Sequence, residues 1–385
     1  MPSEINKEPS INSKGARWDR LPDTYNYEDL LGEAKKYKGV SLSQDAWKRL
    51  KKNKAAMAAL SFLILISILA ILTPFLPFQS PRNTQTELQF QGPQFSILSD
   101  QGLGLATLSG TAYEQRLDLL FGDKNAFDRM LIAGRVNLFG DACFASWCGR
   151  DELGRDVLAR LFWGARVSLL VGLVAALVSL IIGVTYGAIS GYQGGMIDNL
   201  MMRFVDVLYS VPFFFVVIFI ITILNAPDIK SFMIENGIDR ILIFFLVIGL
   251  VYWLTMARVV RGQILSLKEQ QFIEAARTIG AGNTRIIFKH LIPNVFSIVI
   301  VYLTLTIPQV MLFEAFLSFL GLGVEPPDVS WGMLANDGVR AISPLKIYWW
   351  LVVYPGLMLA ATLFALNFLG DGLRDALDPR MKNRS

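Results

Sequence analysis

Histidine occurs once in the 385 residues, at His290, and cysteine twice, at Cys143 and Cys148. A catalytic histidine needs a nucleophile or carboxylate to work with, and no such partner is indicated for His290, which reads as part of a surface. Two thiols without a histidine or carboxylate pair nearby make a poor metal site. A disulfide between Cys143 and Cys148 and a pair of unlinked thiols are both open readings. No Gly-rich phosphate loop ending in Gly-Lys-Ser/Thr is present, so the chain is not expected to hydrolyse ATP by itself. No internal duplication emerges, which weighs against a secondary transporter built from inverted repeats. Charge is also scarce: 18% of residues are charged and the net charge is +4. No basic stripe with interleaved aromatics appears, so nucleic acid is not a partner the sequence supports. No catalytic, cofactor-binding or metal-binding constellation is found.

What fills the chain is apolar. Hydrophobic residues make up 53%, too many for a soluble domain of this length. A helix needs roughly 20 apolar residues to cross a hydrocarbon core. Six windows qualify: Ala55 to Phe75, Val167 to Ile189, Phe204 to Leu224, Ile241 to Ala257, Val295 to Phe319 and Ile347 to Gly370. The third contains Asp206 and Pro212. The expected fold is therefore an all-α membrane protein with six transmembrane helices. The first apolar run follows about fifty polar residues, too late for a cleavable signal peptide.

Lysine and arginine set the expected orientation. About twelve lie in the N-terminal arm, with Lys48, Arg49, Lys51, Lys52 and Lys54 against the first span, which marks that side as cytoplasmic. Six spans then put both termini inside, together with the loop that holds Arg258, Arg261, Lys268, Arg277, Arg285 and Lys289. The expected organisation is an arm over residues 1–54 with an interfacial helix, a first span over 55–77, an external insert over 78–163, a five-helix core over 164–370 and a cytoplasmic tail over 371–385. Ser43 is the expected cap of the interfacial helix, with Trp47 and Leu50 at headgroup level. The insert contains short β-favouring runs such as Leu88 to Phe90, and a small ordered cap with some strand is expected there.

One polar stretch between spans carries the most information. Gln271 to Thr278 favours helix; Gly280, Gly282 and Asn283 break it; Thr284 to Leu291 reads as a second short helix ending before Pro293. Ala275 and Ala276 are small enough for a partner to approach closely, and Glu274, Arg277 and Arg285 offer charge at the rim. An ordinary interfacial loop is the competing reading.

Glu274-Ala275-Ala276, then Gly280, then His290-Leu291-Ile292-Pro293, resembles the EAA loop of binding-protein-dependent ABC importer permeases. Further stretches resemble the C-type permease of the dipeptide/oligopeptide importers: Gly149 to Leu158 before the second span, Ser318 to Pro327 with Ser330-Trp331-Gly332 after the fifth, and Gly370 to Pro379 at the C-terminal end. Arg150 stands where that family usually has Thr, and the segment from Phe78 to Cys148 is longer than its usual loop.

The resemblance implies a type I importer permease fold and a pore-forming subunit that moves peptides from an external binding protein across the inner membrane. It implies as partners a homologous second permease, two ATP-binding subunits, the binding protein and membrane lipid. Glu274, Ala275, Ala276, Arg277, Gly280, His290 and Pro293 become the candidate ATPase-coupling residues. Asp198, Arg203, Asp206, Glu314, Gly321 and Gly323 are structural or gating candidates, with an Asp198–Arg203 ion pair and a hydrogen bond from Glu314 to loop backbone as expectations. Glu314 falls within a span, where an ionisable group is costly. An importer of nickel chelates or modified sugars from the same family, and a membrane scaffold without transport activity, are the alternative functions.

Overall fold

The computed structural model describes residues 42–99, 102–122, 124–236, 238 and 240–377. The N-terminal arm before Leu42 and the C-terminal signature residues Asp378-Pro379, with the basic tail beyond, lie outside the described residues. By internal contacts the chain from Ala46 onward is one unit. Helices account for the ordered structure, and the only extended pairings among the described residues are the single bridges Leu98–Phe144 and Arg150–Asp156.

Helix α1 (Leu42–Lys52) stops at Asn53, whose side chain accepts a hydrogen bond from the Ala56 amide and so caps α2 (Lys54–Leu72). Trp47 is exposed beneath the Lys51 ammonium, and Leu50 is buried with Ala56 and Ala376. The helix already includes Ser43, so that residue is not its cap.

The insert is helical rather than partly stranded. Its two helices, α3 (Gly110–Phe121) and α4 (Ala126–Phe139), bury Leu117, Leu120, Phe121 and Ile132 against Leu103, Leu105, Cys143 and Trp163. The β-favouring run at residues 88–90 ends in Phe90 at φ 54°, where its ring stacks on Tyr348 at 4.0 Å. That contact displaces the extended backbone a strand would need.

Among the described residues, five helices are long and apolar enough to cross a membrane: α2, α5 (Val157–Gln193), α9 (Arg240–Leu267), α11 (Asn283–Phe319) and α13 (Trp350–Leu377). The third expected span is broken. Helix α6 (Gly195–Ser210) and α7 (Phe213–Leu224) meet at a 77° bend around Val211-Pro212, because proline disfavours helix at the preceding residue. Counted as one bent span, the pair brings the total to six. Short helices α8 (Pro227–Glu235), α10 (Gln271–Thr278) and α12 (Trp331–Arg340) fill the connections.

A tight seam joins α5 to α9. Gly183, Gly187 and Gly191 recur at every fourth position, one above the other on a helix face. A Cβ at Gly183 would stand 2.6 Å from Met256 Cβ, at Gly187 2.3 Å from the Ala257 carbonyl oxygen, and at Gly191 2.9 Å from that of Arg261. Small residues at this spacing are how helices approach closely where lipid removes the hydrophobic drive. A π-turn at Ser179–Gly183 leads α5 into the seam.

Candidate functional site

Helix α10 hangs between the ends of α9 and α11. Ile273 is fully buried in a cluster with Tyr192, Ile264, Ile286, Ile287 and Leu291, and Ala276 turns inward beside it. Gln271, Phe272, Glu274, Ala275, Arg277 and Thr278 are exposed. Of the two alanines, only Ala275 is thus available to a partner. Ile279 follows with 87% of its surface exposed, an apolar side chain at the tip of a polar turn.

Gly280 closes the helix. Its amide donates to the Arg277 carbonyl, the Ala281 amide donates to the Ala276 carbonyl, and its φ is +87°. This is a Schellman ending, which needs a left-handed residue. A Cβ on Gly280 would meet nothing within 4 Å, so glycine is required there by its backbone alone.

The helix is wired to its neighbours. Arg277 lies 5.3 Å over the Tyr192 ring, and the Tyr192 hydroxyl donates to Asn283 Oδ1 at 3.0 Å. Lys268 Nζ donates to the Gly191 carbonyl at 3.1 Å. The ends of α5, α9 and α11 therefore meet beneath one eight-residue helix whose outer face is exposed.

The second short helix does not end before Pro293. Asn283–Arg285 runs through a π-turn at Ile286–Leu291 directly into the long span. Pro293 has no amide to donate and its ring crowds the carbonyl four residues back; the wider turn absorbs this. His290 sits half-buried in that turn with its carbonyl accepting from Asn294 Nδ2 at 2.6 Å, and Pro293 is exposed.

Asp198 does not pair with Arg203. Five positions apart on a helix, the two residues point to different faces. Asp198 is buried and accepts from Arg261 Nε and Nη2, each at 2.6 Å, and from the Ser190 hydroxyl. This clamp ties α6 to α5 and α9 next to the glycine seam. Arg203 is exposed, while Asp206 pairs with Arg258 at 2.8 Å and Arg258 covers the Tyr209 ring.

Glu314 is fully buried and accepts from the Ser318 hydroxyl at 2.7 Å, a side-chain rather than a backbone partner. Gly321, at φ +77°, ends α11 in a second Schellman turn. Gly323 lies so close to Ser318 that a Cβ would fall 2.0 Å from its hydroxyl oxygen.

Sequence spacing gave no sign of how the opposite end is locked. Asp151 binds both Arg155, at 2.7 Å, and the fully buried Arg160, which reaches Asp337 on α12 at 3.4 Å. Trp331 is fully buried with its indole N–H donating to the Leu161 carbonyl at 2.9 Å. Arg150 anchors the insert by donating to Gln85 and to the Gly154 carbonyl at 2.8 Å, and to Gln79 at 3.0 Å. The two cysteines are free thiols in different clusters, Cys143 in the insert core and Cys148 against the transmembrane bundle, so the disulfide is not formed. Burial pushes the Cys148 thiol up to about 12, which leaves it inert at neutral pH.

Comparison with known sequences matches residues 183–383 to the family of binding-protein-dependent transport system inner membrane components, and residues 41–93 to the N-terminal transmembrane domain of oligopeptide transport permease C. The dipeptide transport system permease protein DppC of Bacillus subtilis is 38% identical over 343 residues, covering 89% of this chain and 87% of that protein. The oligopeptide transport system permease protein OppC of Haemophilus influenzae is 48% identical over 232 residues, covering 60% of this chain and 70% of its own. OppC of Escherichia coli K12 is 44% identical over 232 residues, 60% and 72% respectively.

Proposed function

Since the chain belongs to the family of binding-protein-dependent transport system inner membrane components, we propose that it is the pore-forming permease subunit of an ATP-driven importer of dipeptides or oligopeptides. The observation that carries the mechanism is α10: a short helix, exposed on its outer face, whose inner face is clamped to three spans at once. Partner ATPase subunits grip Glu274, Ala275, Arg277 and Ile279. Their closure on ATP rotates α10, and the Tyr192, Lys268 and Asn283 contacts pass the movement to α5, α9 and α11. His290 and Pro293 form the hinge-side rim of that surface.

The half-pore is the cavity of about 540 Å³ inside the α6/α7 bend. Tyr252, Thr255, Tyr302, Thr306 and Gln309 line it, and no Asp, Glu, Lys or Arg does among the described residues. Neutral hydroxyls and an amide can bond peptide backbone without selecting side-chain charge. A homologous second permease completes this surface, and an external binding protein delivers cargo to the insert side. Both termini and α10 face the cytoplasm, as the basic flanks of the first span require. The arm over residues 1–54, the insert over 78–163 and the core over 164–370 act as anchor, external platform and conduit.

The test is uptake of a labelled peptide into vesicles holding this chain, the second permease, both ATPases and the binding protein. Uptake that depends on ATP and on every component is expected. Uptake driven by an ion gradient without ATPases would overturn the proposal, and transport of a nickel chelate or sugar in place of peptide would reassign the cargo.

A further inference from the structure

On the insert side, where α5 and α9 begin their apolar runs, a separate cavity of about 260 Å³ lies among Arg82, Lys124, Asp128, Trp163, Arg166 and Phe245. Its charges are unequally used. Arg166 holds Asp128 in a bidentate pair at 3.0 and 2.7 Å. Arg82 and Lys124, both half-buried, make no ion pair within 4 Å among the described residues, and neither donates a side-chain hydrogen bond. The Lys124 ammonium lies 4.8 Å over the Trp163 ring. The Arg82 guanidinium occupies the space where a Cβ on Gly122 would fall, 1.9 Å from Nη1, so the glycine makes room for it. Burial and then repulsion from Arg82 push the Lys124 ammonium below its ordinary range, against weaker attraction from Asp328 and Asp128. With Asp328 also at the wall, Arg82, Lys124 and Arg166 stand with two carboxylates among the described residues.

The apolar surroundings say which anion would suit Arg82 and Lys124. Leu170 lines the cavity, and Leu173 and Leu177 continue from it down the same face of α5, each about half exposed. A ligand that fits both parts has an anionic head and a long apolar tail. Lysine and arginine at the level where spans begin attract anionic headgroups, and aromatic rings favour that depth.

We propose that this cavity is a binding site for an anionic phospholipid of the leaflet on the insert side, its phosphate held by Arg82 and Lys124 and its chains lying along Leu170, Leu173 and Leu177. Such a lipid pairs with Arg82 and Lys124 and seats α3 and α4 of the insert on the ends of α5 and α9. The site is distinct from α10 and from the bent-helix cavity.

Trp163 reports on the site. The full chain is reconstituted in phosphatidylcholine vesicles containing a minor fraction of brominated phosphatidylglycerol or, as control, brominated phosphatidylcholine. The Trp163 contribution is isolated as the quenching lost in Trp163→Phe. Brominated phosphatidylglycerol is expected to quench Trp163 at a far lower fraction than brominated phosphatidylcholine. Loss of one cation should weaken that preference about fivefold and loss of both about thirtyfold. Arg82→Gln with Lys124→Gln should therefore abolish it, whereas Lys124→Arg should retain it. If the double variant fails to insert, Lys124→Gln alone carries the test through its fivefold effect. Equal quenching by the two lipids, or a preference that survives loss of the cations, overturns the proposal. Displacement by millimolar inorganic phosphate would show a free-anion site and overturns the lipid assignment.

Discussion

The glycine seam gives a prediction whose sign depends on position. Gly187→Ala places a methyl 2.3 Å from the Ala257 carbonyl oxygen, a backbone atom that cannot rotate away. To restore ordinary contact α5 and α9 must part by about 1 Å, an overpacking that costs about 1–3 kcal/mol. Alanine returns about 1 kcal/mol of helix propensity, so the net effect is destabilisation of up to about 2 kcal/mol. Gly262→Ala, on α9 itself, meets nothing within 4 Å and keeps the propensity gain. The two variants should differ by roughly 1–3 kcal/mol, with Gly262→Ala the more stable. Thermal unfolding of the purified chain in detergent reads this as a gap of about 2–6 °C, at about 2 °C per kcal/mol. Gly187→Ala unfolding at or above the Gly262→Ala temperature would refute the close-approach reading of the seam.

The Asp198–Arg261 clamp predicts that Arg261→Met strands a buried carboxylate and lowers stability by about 3 kcal/mol, while Asp198→Asn with Arg261→Met recovers part of the loss in a double-mutant cycle by chemical unfolding. Cleavage by a soluble protease should show a second effect: Arg160→Met leaves Asp151 with Arg155 alone and takes Arg160 from Asp337, loosening the 149–156 segment and leaving α10 unaffected. Burial raises the Asp156 carboxyl to about 6, opposed by its hydrogen bond from the Ala159 amide. A carboxyl with a raised folded value binds a proton in the folded state first, so stability rises as pH falls from 6 towards 4 and is lost as pH climbs back through 6. The contribution is on the order of 3 kcal/mol, and Asp156→Asn should flatten that part of the stability profile.

Local signals spelled out much of this molecule. Five spans were legible because apolar runs of this length have one solution in lipid, and α10 was legible to the residue because Gly280 ends it by a rule of backbone geometry. The 77° break in the third span was signalled by Pro212, although hydropathy alone carried the window through it. Long-range pairing was less visible. Asp198 reaches Arg261 across 63 positions, and nothing in the sequence ranks that partner above the nearby Arg203 except helix-face geometry. Gly183, Gly187 and Gly191 carried a readable spacing, yet their partner face on α9 is set by tertiary packing. The insert misled because β propensity reflects packing against a partner strand, and Phe90 stacks on Tyr348 instead.

Peptides imported per ATP hydrolysed, measured in vesicles with Gly280→Val, test the central claim most directly. Valine at φ +87° costs at least 1–2 kcal/mol and unwinds the Schellman turn without touching any neighbour. The account predicts that the chain stays in the membrane while the ratio falls about tenfold or more. A normal ratio, with the ATPases co-purifying at normal yield, would contradict it.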